Sequence, residues 1–259
     1  MEKEKKKVGL YGFTGCNGDQ LVIIHSEDRL LEFWNSADIQ SFSLAKSDNT
    51  DSELDIAVVE GSISNQEQAE HIKEIRERSK MLIAIGNCAC YGGIQAMELG
   101  AATWDQRFRQ VYGNKTLDVR TPIESKPIDL FVHVDFYLPG CPIDAGQFFY
   151  CFGQLLQDNK PVMPDHPVCA ECRWRENECL LLKGIMCIGP LTAAGCGAVC
   201  PSNNLPCMGC FGPVSEANVA SEFNLLKEKG FSKEAIKNRI RMHFGSGAME
   251  SLKKILGEL

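Results

Sequence analysis

"MLIAIGNCACYGG", residues 81–93, decides how the rest of the chain is read. Met81–Ile85 is an unbroken apolar run, as expected of a short strand buried on both faces. It stops at Gly86, and Cys88 follows at once. The same arrangement recurs along the chain. "VGLY" (8–11) precedes Cys16, "LDIAVVEG" (54–61) delivers Glu60, and a strand within "IDLFVHVDFYLPG" (128–140) precedes Cys141. One more strand is expected near Ile39–Leu44. Helices are expected between the strands: from about Gly18 to Trp34, over 65–80, from near Gly93, and over 144–157. Apolar strands alternating with helices imply an α/β fold, a parallel sheet with helices on both faces. Residues 100–127 read as a lid or insertion, with Pro122 and Pro127 breaking any helix.

Open α/β sheets bind ligands beyond the carboxyl ends of their strands. Parallel strands bring the loops carrying Cys16, Cys88, Cys141 and Glu60 to one edge, although they lie far apart in sequence. Asp19, in "GFTGCNGDQL", stands three residues after Cys16, where a second cysteine would complete a Cys-x-x-Cys pair. Three cysteines and one aspartate give four anionic donors, which suits an iron–sulfur cubane. A structural zinc site is the alternative, although its cysteines are usually paired locally. Glycines flank each cysteine, letting backbone pass close to a bulky group and freeing N–H groups to face it. Cys90 cannot share one cluster with Cys88 without strain and is read as a spare. Cys151, on the apolar face of its helix, is read as a buried thiol.

Composition narrows the function. The chain has 259 residues, 13 cysteines and a formal net charge of −7. The negative balance argues against a nucleic-acid partner. The opening "MEKEKKK" is charged, no apolar signal-peptide segment follows it, and no apolar run is long enough to span a bilayer. The expectation is a cytoplasmic protein with no membrane span, in which many cysteines mean metal or redox chemistry rather than disulfides.

The cysteines are unevenly placed. Five lie in residues 1–168, and eight crowd into "CAECRWRENECLLLKGIMCIGPLTAAGCGAVCPSNNLPCMGC", residues 169–210. "NKPVMPDHPV" (159–168) ends the strand–helix alternation, so the domains are read as 1–165, a sheet domain, and 166–259, an irregular cysteine-rich lobe with a helical tail. Eight cysteines make two sites of four. Prolines beside Cys200 and Cys207 are a feature shared with bacterial ferredoxins. Sequential grouping assigns Cys169, Cys172, Cys179 and Cys187 to one site and Cys196, Cys200, Cys207 and Cys210 to the other. Interleaved ligands, as in two-cluster ferredoxins, are the alternative.

With "GFTGCNGDQL", "VVEGSIS", "AIGNCACYGGIQA", "LPGCPID", "CIGPLTAAGC" and "PCMGCFGPV" in this order, the chain resembles the small, electron-transferring subunit of NiFe hydrogenases, nearest to cytoplasmic NAD(P)-linked sulfhydrogenases. That resemblance implies a flavodoxin-like, doubly wound sheet domain holding a proximal cluster and a lobe holding medial and distal clusters, three 4Fe–4S clusters in all. It implies Cys16, Cys88 and Cys141 as proximal ligands, with Asp19 where most members have cysteine. Cys169 stands where exported relatives have a histidine ligand, and Cys200 supplies a cysteine where they often have proline. The implied partners are a large subunit bearing the NiFe site and flavin/NAD(P)- or iron–sulfur-containing subunits. This chain would pass electrons and contain no catalytic residue of its own.

Glu60 has two readings. It either relays protons or bonds across a subunit interface, or it caps a loop by accepting nearby N–H groups. His133 is read as a core histidine within a strand, and His166 as secondary to Cys169. The basic residues at 173–175 and 237–241 are read as solvated surface. Two rival functions remain at this level: a subunit related to the quinone-reducing respiratory complex, which usually has adjacent cysteines in the first loop and no second lobe, and a zinc-stabilised binding module.

Overall fold

The computed structural model describes residues 5–97, 102–115, 122–245 and residue 254. The chain divides into two compact units, Met1–Leu138 and Pro139–Leu259. The boundary expected at 165/166, where strand–helix alternation ends, is a proposal about where the cysteine-rich lobe begins and falls inside the second unit.

The first unit runs β1 (Lys7–Gly12), α1 (Gly18–Ile24), α2 (Glu27–Ser36), β2 (Asp38–Phe42), β3 (Leu54–Glu60), β4 (Ile63–Asn65), α3 (Gln66–Glu77), β5 (Ser79–Ile85), α4 (Gly86–Tyr91), α5 (Trp104–Tyr112), β6 (Pro122–Lys126) and β7 (Phe136–Leu138). Five strands form a parallel sheet in the order β2-β1-β3-β5-β7. Strand order reverses between β1 and β3, which makes a topological switch point. Right-handed crossovers then place the helices after β1 and after β3 on opposite faces. Both faces are covered, so β3 is buried from Ile56 to Glu60. Each Val or Ile withdrawn from water in this way contributes about 1.5–3 kcal/mol.

Register fixes where the strands end. Gly12 pairs with Glu60, Glu60 with Ile85, and Ile85 with Leu138. Four carboxyl ends therefore stand level, and the loops carrying Cys16, Glu60 and Cys88 leave from one rung.

Several elements differ from the sequence expectation. The helix expected over 18–34 is two helices. Ser26 turns back to donate its hydroxyl to Val22 O at 2.6 Å and leads into α2, so the chain bends at His25–Ser26. The helix expected from Gly93 starts at Gly86 and ends at Tyr91, capped by Gly92, so Cys88 lies in a helical first turn rather than a free loop. The stretch 100–127 contains α5, opened by a Thr103–Gln106 capping box, and β6, which pairs antiparallel with β4. Pro122 begins that strand, a position proline tolerates. Residues 98–101 and 116–121 lie outside the described residues. His133 is not a core histidine: it precedes β7, its side chain is 78% exposed, and Nε2 is 3.4 Å from Asp135.

The second unit carries α6 (Ala145–Leu156), α7 (Val168–Trp174), α8 (Val199–Ser202), α9 (Val219–Glu228) and α10 (Lys233–Arg241). In α6, Asp144 caps the start by accepting Gln147 N–H at 2.8 Å, and Phe148, Cys151, Phe152 and Leu155 form the buried face. Cys151 is buried there, as its apolar setting implied. Short 3-10 turns at Leu180–Lys183 and Gly189–Leu191 interrupt the cysteine-rich loops. Leu181, Met186, Ile188 and Leu191 from those loops share a core with Val219, Phe223, Leu226, Ile236, Ile240 and Phe244. The tail helices thus supply the apolar body that the Cys- and Gly-rich loops lack. Positions 246–253 and 255–259 of the expected helical tail lie outside the described residues.

Candidate cluster-binding site

At the switch point, the loop after β1 is held from inside. Glu60, 2% exposed, accepts Asp19 N–H at 3.2 Å, Gln20 N–H at 3.3 Å and Gln20 Nε2 at 2.8 Å. Its carboxylate caps the first turn of α1, which is the loop-capping role. Phe13 N–H bonds Glu60 O, and Thr14 pairs with Ser62, so the segment leading to Cys16 is fastened on both sides. Cys16 itself is exposed, and Cys88 is partly exposed on the first turn of α4.

Asp19 turns inward and is 5% exposed. A Cβ placed on Gly86 would lie 1.8 Å from Asp19 Oδ2, so the carboxylate rests against the first residue of α4, two positions before Cys88. Gly86 has φ +78 and accepts no larger side chain there. Cys90 is buried, its thiol 3.4 Å from Ala84 O. Burial first, then the Asp19 charge, pushes Cys90 well above the ordinary thiol value, as in a core thiol. Cys141 follows β7 by three residues and is exposed in the second unit.

In that second unit, Cys169 and Cys172 lie on one face of α7. Cys179 precedes the turn Leu180–Lys183, and Cys187 follows it. Burial pushes Cys169 up to about 12, and the neighbouring Cys187, Cys172, Cys179 and Cys207 raise it further. Cys187 is raised by burial and by Cys179 and Cys172, while N–H groups of Gly189 and Cys207 act against this. Cys210 is pushed up to about 12 by burial, then by Cys207, Cys196, Cys200 and Cys141. Burial also raises Cys196, against the Ala198 N–H, with Glu171 and Cys200 adding to the rise. The thiols that act on one another cross the two sequential sets: Cys207 acts on Cys169, and Cys187 acts on Cys207. Cys187 and Cys207 adjoin, with Cys207 N–H donating to Cys187 Sγ at 3.3 Å.

These surroundings fit a cationic inorganic body. Cys169, Cys187, Cys207 and Cys210 are each raised by burial and by neighbouring thiols, so these four ionise together only around positive charge. Room for that body comes from glycine: a Cβ on Gly189 would lie 3.4 Å from Cys169 Sγ and 3.6 Å from Cys187 Sγ. Backbone N–H groups already point at the sulfurs. Among the described residues, no three His, Cys, Asp or Glu side chains converge closely enough to hold a single metal ion.

Two contributors were not singled out in the sequence. Thr192, in "GPLTAAGC", places Oγ1 3.4 Å from Cys207 Sγ and donates to Ile188 O. Glu171, between the two cysteines of "CAEC", accepts Gly195 N–H at 2.8 Å and Ala198 N–H at 3.2 Å. A carboxylate set between two candidate ligands was the available signal. Among the described residues, no helix is long and apolar enough to cross a membrane.

A doubly wound sheet with thiol-bearing loops at its switch point, joined to an eight-cysteine lobe, defines an iron–sulfur class of oxidoreductase subunit. Residues 16–155 match the family model described as NADH ubiquinone oxidoreductase, 20 Kd subunit. The chain is 39% identical over 223 residues to sulfhydrogenase 2 subunit delta of Pyrococcus furiosus, covering 86% of this chain and 92% of that protein. It superimposes with TM-score 0.56 and 26% identity on a chain of an NAD+-reducing [NiFe]-hydrogenase in the H2-reduced state, over 62% of this chain and 96% of the other. A Ni-Fe-Se hydrogenase from Desulfomicrobium baculatum shares the fold at TM-score 0.56 and 15% identity, over 94% of this chain and 100% of the other. The chain belongs to the 20 Kd subunit family, and within it to the small subunits of NiFe hydrogenases. The family model ends at residue 155, before the lobe, whereas the sulfhydrogenase match covers most of the chain.

Proposed function

We propose that this chain is the electron-transferring small subunit of a cytoplasmic NiFe hydrogenase and holds three 4Fe–4S clusters. The observation that carries the reading is the crowding of lobe thiols around a glycine, with Cys169 and Cys187 Sγ within 3.6 Å of a Cβ built on Gly189 and Cys207 N–H donating to Cys187 Sγ, in a chain whose strand ends carry a further set of thiol-bearing loops. When bound, the clusters would supply one-electron storage at potentials set by ligands, hydrogen bonds and burial.

Every other task falls to the chain. Cys16, Cys88 and Cys141, with Asp19, would hold the proximal group. Cys169, Cys172, Cys179 and Cys187 would hold the second, and Cys196, Cys200, Cys207 and Cys210 the third. The N–H groups of Cys207 and Gly189 would stabilise charge on Cys187, and the Gly209 N–H would do so for Cys207. The buried core around Ile188, Leu191 and Phe244 would exclude water from one side of the lobe.

Asp19 is proposed as the fourth proximal ligand because its carboxylate rests beside the turn that presents Cys88. A carboxylate is a harder donor than thiolate and would make one iron distinct. Asp19→Cys should keep the iron content and change the proximal spectrum and potential. An unchanged spectrum and potential would leave Asp19 as a hydrogen-bonding residue only.

The proposed partners are a large subunit bearing the NiFe site and a flavin/NAD(P)- or iron–sulfur-containing acceptor subunit. Support for the latter is the similarity to a chain of an NAD+-reducing hydrogenase. Purification of the native complex and identification of its chains tests this. A nickel-bearing large subunit should co-purify, and its absence would overturn the reading.

A further inference from the structure

The loop Gly195–Ala198 carries Cys196 and is held by side chains from two helices of the second unit. From α6, Gln147 Nε2 donates to Gly195 O at 2.9 Å. From α7, Glu171 Oε1 accepts Gly195 N–H at 2.8 Å and Oε2 accepts Ala198 N–H at 3.2 Å. Both carboxylate oxygens are thus committed to backbone donors that flank Cys196 on either side. The same Oε2 lies 4.0 Å from Cys196 Sγ.

Glu171 stands between Cys169 and Cys172, which in the proposed grouping belong to the other set. One side chain therefore spans the two groups: its backbone belongs to one, and its charge sits beside a ligand of the other. Arg175, one turn further along the same helical segment, rests its guanidinium against Gly197, where a Cβ would lie 2.9 Å from Nη2. The loop thus has an anion at its two flanking amides and a cation at the intervening glycine.

We propose that Glu171 is a positioning residue that also sets the reduction potential of the group held by Cys196, Cys200, Cys207 and Cys210. The proposal rests on the electron-transfer reading above. A negative charge 4.0 Å from a ligand sulfur opposes arrival of an electron, and in a partly buried setting the opposition is weakly screened. The group is held at lower potential than it would have beside a neutral side chain. Because the carboxylate is anchored through α7, movement of the Cys169–Cys172 turn would displace this charge relative to Cys196. The structure thereby joins the two groups mechanically as well as by proximity.

The test is an EPR-monitored redox titration, with iron analysis, of the full chain purified with its partners, comparing wild type with Glu171→Gln. Glutamine keeps the shape, one acceptor oxygen and no charge. The expected result is unchanged iron content and one midpoint potential shifted upward, in the signal that Cys196→Ser also alters. Full iron content with no midpoint shift would overturn the proposal. If Glu171→Gln loses iron, Glu171→Asp decides, because it keeps the charge. Iron retained, with that midpoint close to wild type, supports the proposal; iron loss in both variants, or a displaced midpoint in the aspartate variant, reduces Glu171 to a packing role and overturns it. A wild-type protein without iron would instead refute the electron-transfer reading itself.

Discussion

Glu60, at the carboxyl end of β3, accepts the backbone N–H of Asp19 at 3.2 Å, from 41 residues away in the chain. Through this bond the central strand sets the position of the loop that carries Cys16 and Asp19. Glu60→Ala would leave the Asp19 and Gln20 N–H groups and Gln20 Nε2 without their buried acceptor. The expected loss is about 1–3 kcal/mol of stability, read from chemical denaturation of the full chain. An unchanged midpoint would mean that water replaces the carboxylate without cost.

Gly86 controls the other side of Asp19. A methyl group there would overlap Asp19 Oδ2 at 1.8 Å, on backbone with φ +78. Gly86→Ala should cost about 1–3 kcal/mol and should also move Asp19. The second effect separates this variant from ordinary overpacking: the proximal spectrum should change in the same direction as in Asp19→Ala. Lost stability with an unaltered spectrum would disconnect Asp19 from the cluster.

Glu222 gives a pH dependence. It lies 3% exposed on α9, and burial raises its carboxyl from the ordinary 4.5 to about 7. The folded state therefore binds the proton more tightly than the unfolded state. The stability this provides is complete below about pH 4.5 and is lost as pH rises through about 7. Glu222→Gln should raise the thermal midpoint at pH 8 relative to wild type and leave it nearly unchanged near pH 4. A larger gain at low pH than at high pH would contradict this assignment.

Iron removal should act unevenly. The sheet of the first unit is held by apolar burial at β1, β3 and β5, whereas the loops of 166–213 gather thiols around little regular structure. Hydrogen exchange after anaerobic chelation should show large loss of protection over 166–213 and little over 54–60 and 81–85. Equal loss in both regions would mean that the sheet also depends on its ligand.

The sheet was legible in the sequence because its three middle strands β1, β3 and β5 are short, largely apolar runs bounded by glycine or polar residues. β3 and β5 are buried on both faces and so lack the alternation that could be confused with a helix. The break at Ser26 was hidden because Leu21 through Trp34 keep helical spacing across it. His133 misled because an apolar run surrounds it, yet the strand begins only at Phe136. In the lobe, spacing alone admits two groupings of eight cysteines. The sequential one is kept as the proposal; α7 puts Cys169 and Cys172 on one face, while Cys207 N–H donates to Cys187 Sγ across the two sets. The grip of Glu171 on Gly195 and Ala198 joins residues at least 24 apart, and no local pattern announces such a contact.

The central claim is three four-iron groups held by the twelve named side chains. Iron and acid-labile sulfide should be counted per chain in the complex purified without oxygen, with the large subunit's own iron subtracted. Three cubanes predict about twelve irons and about twelve sulfides per chain. About eight or fewer of each, or zinc in their place, would contradict the account.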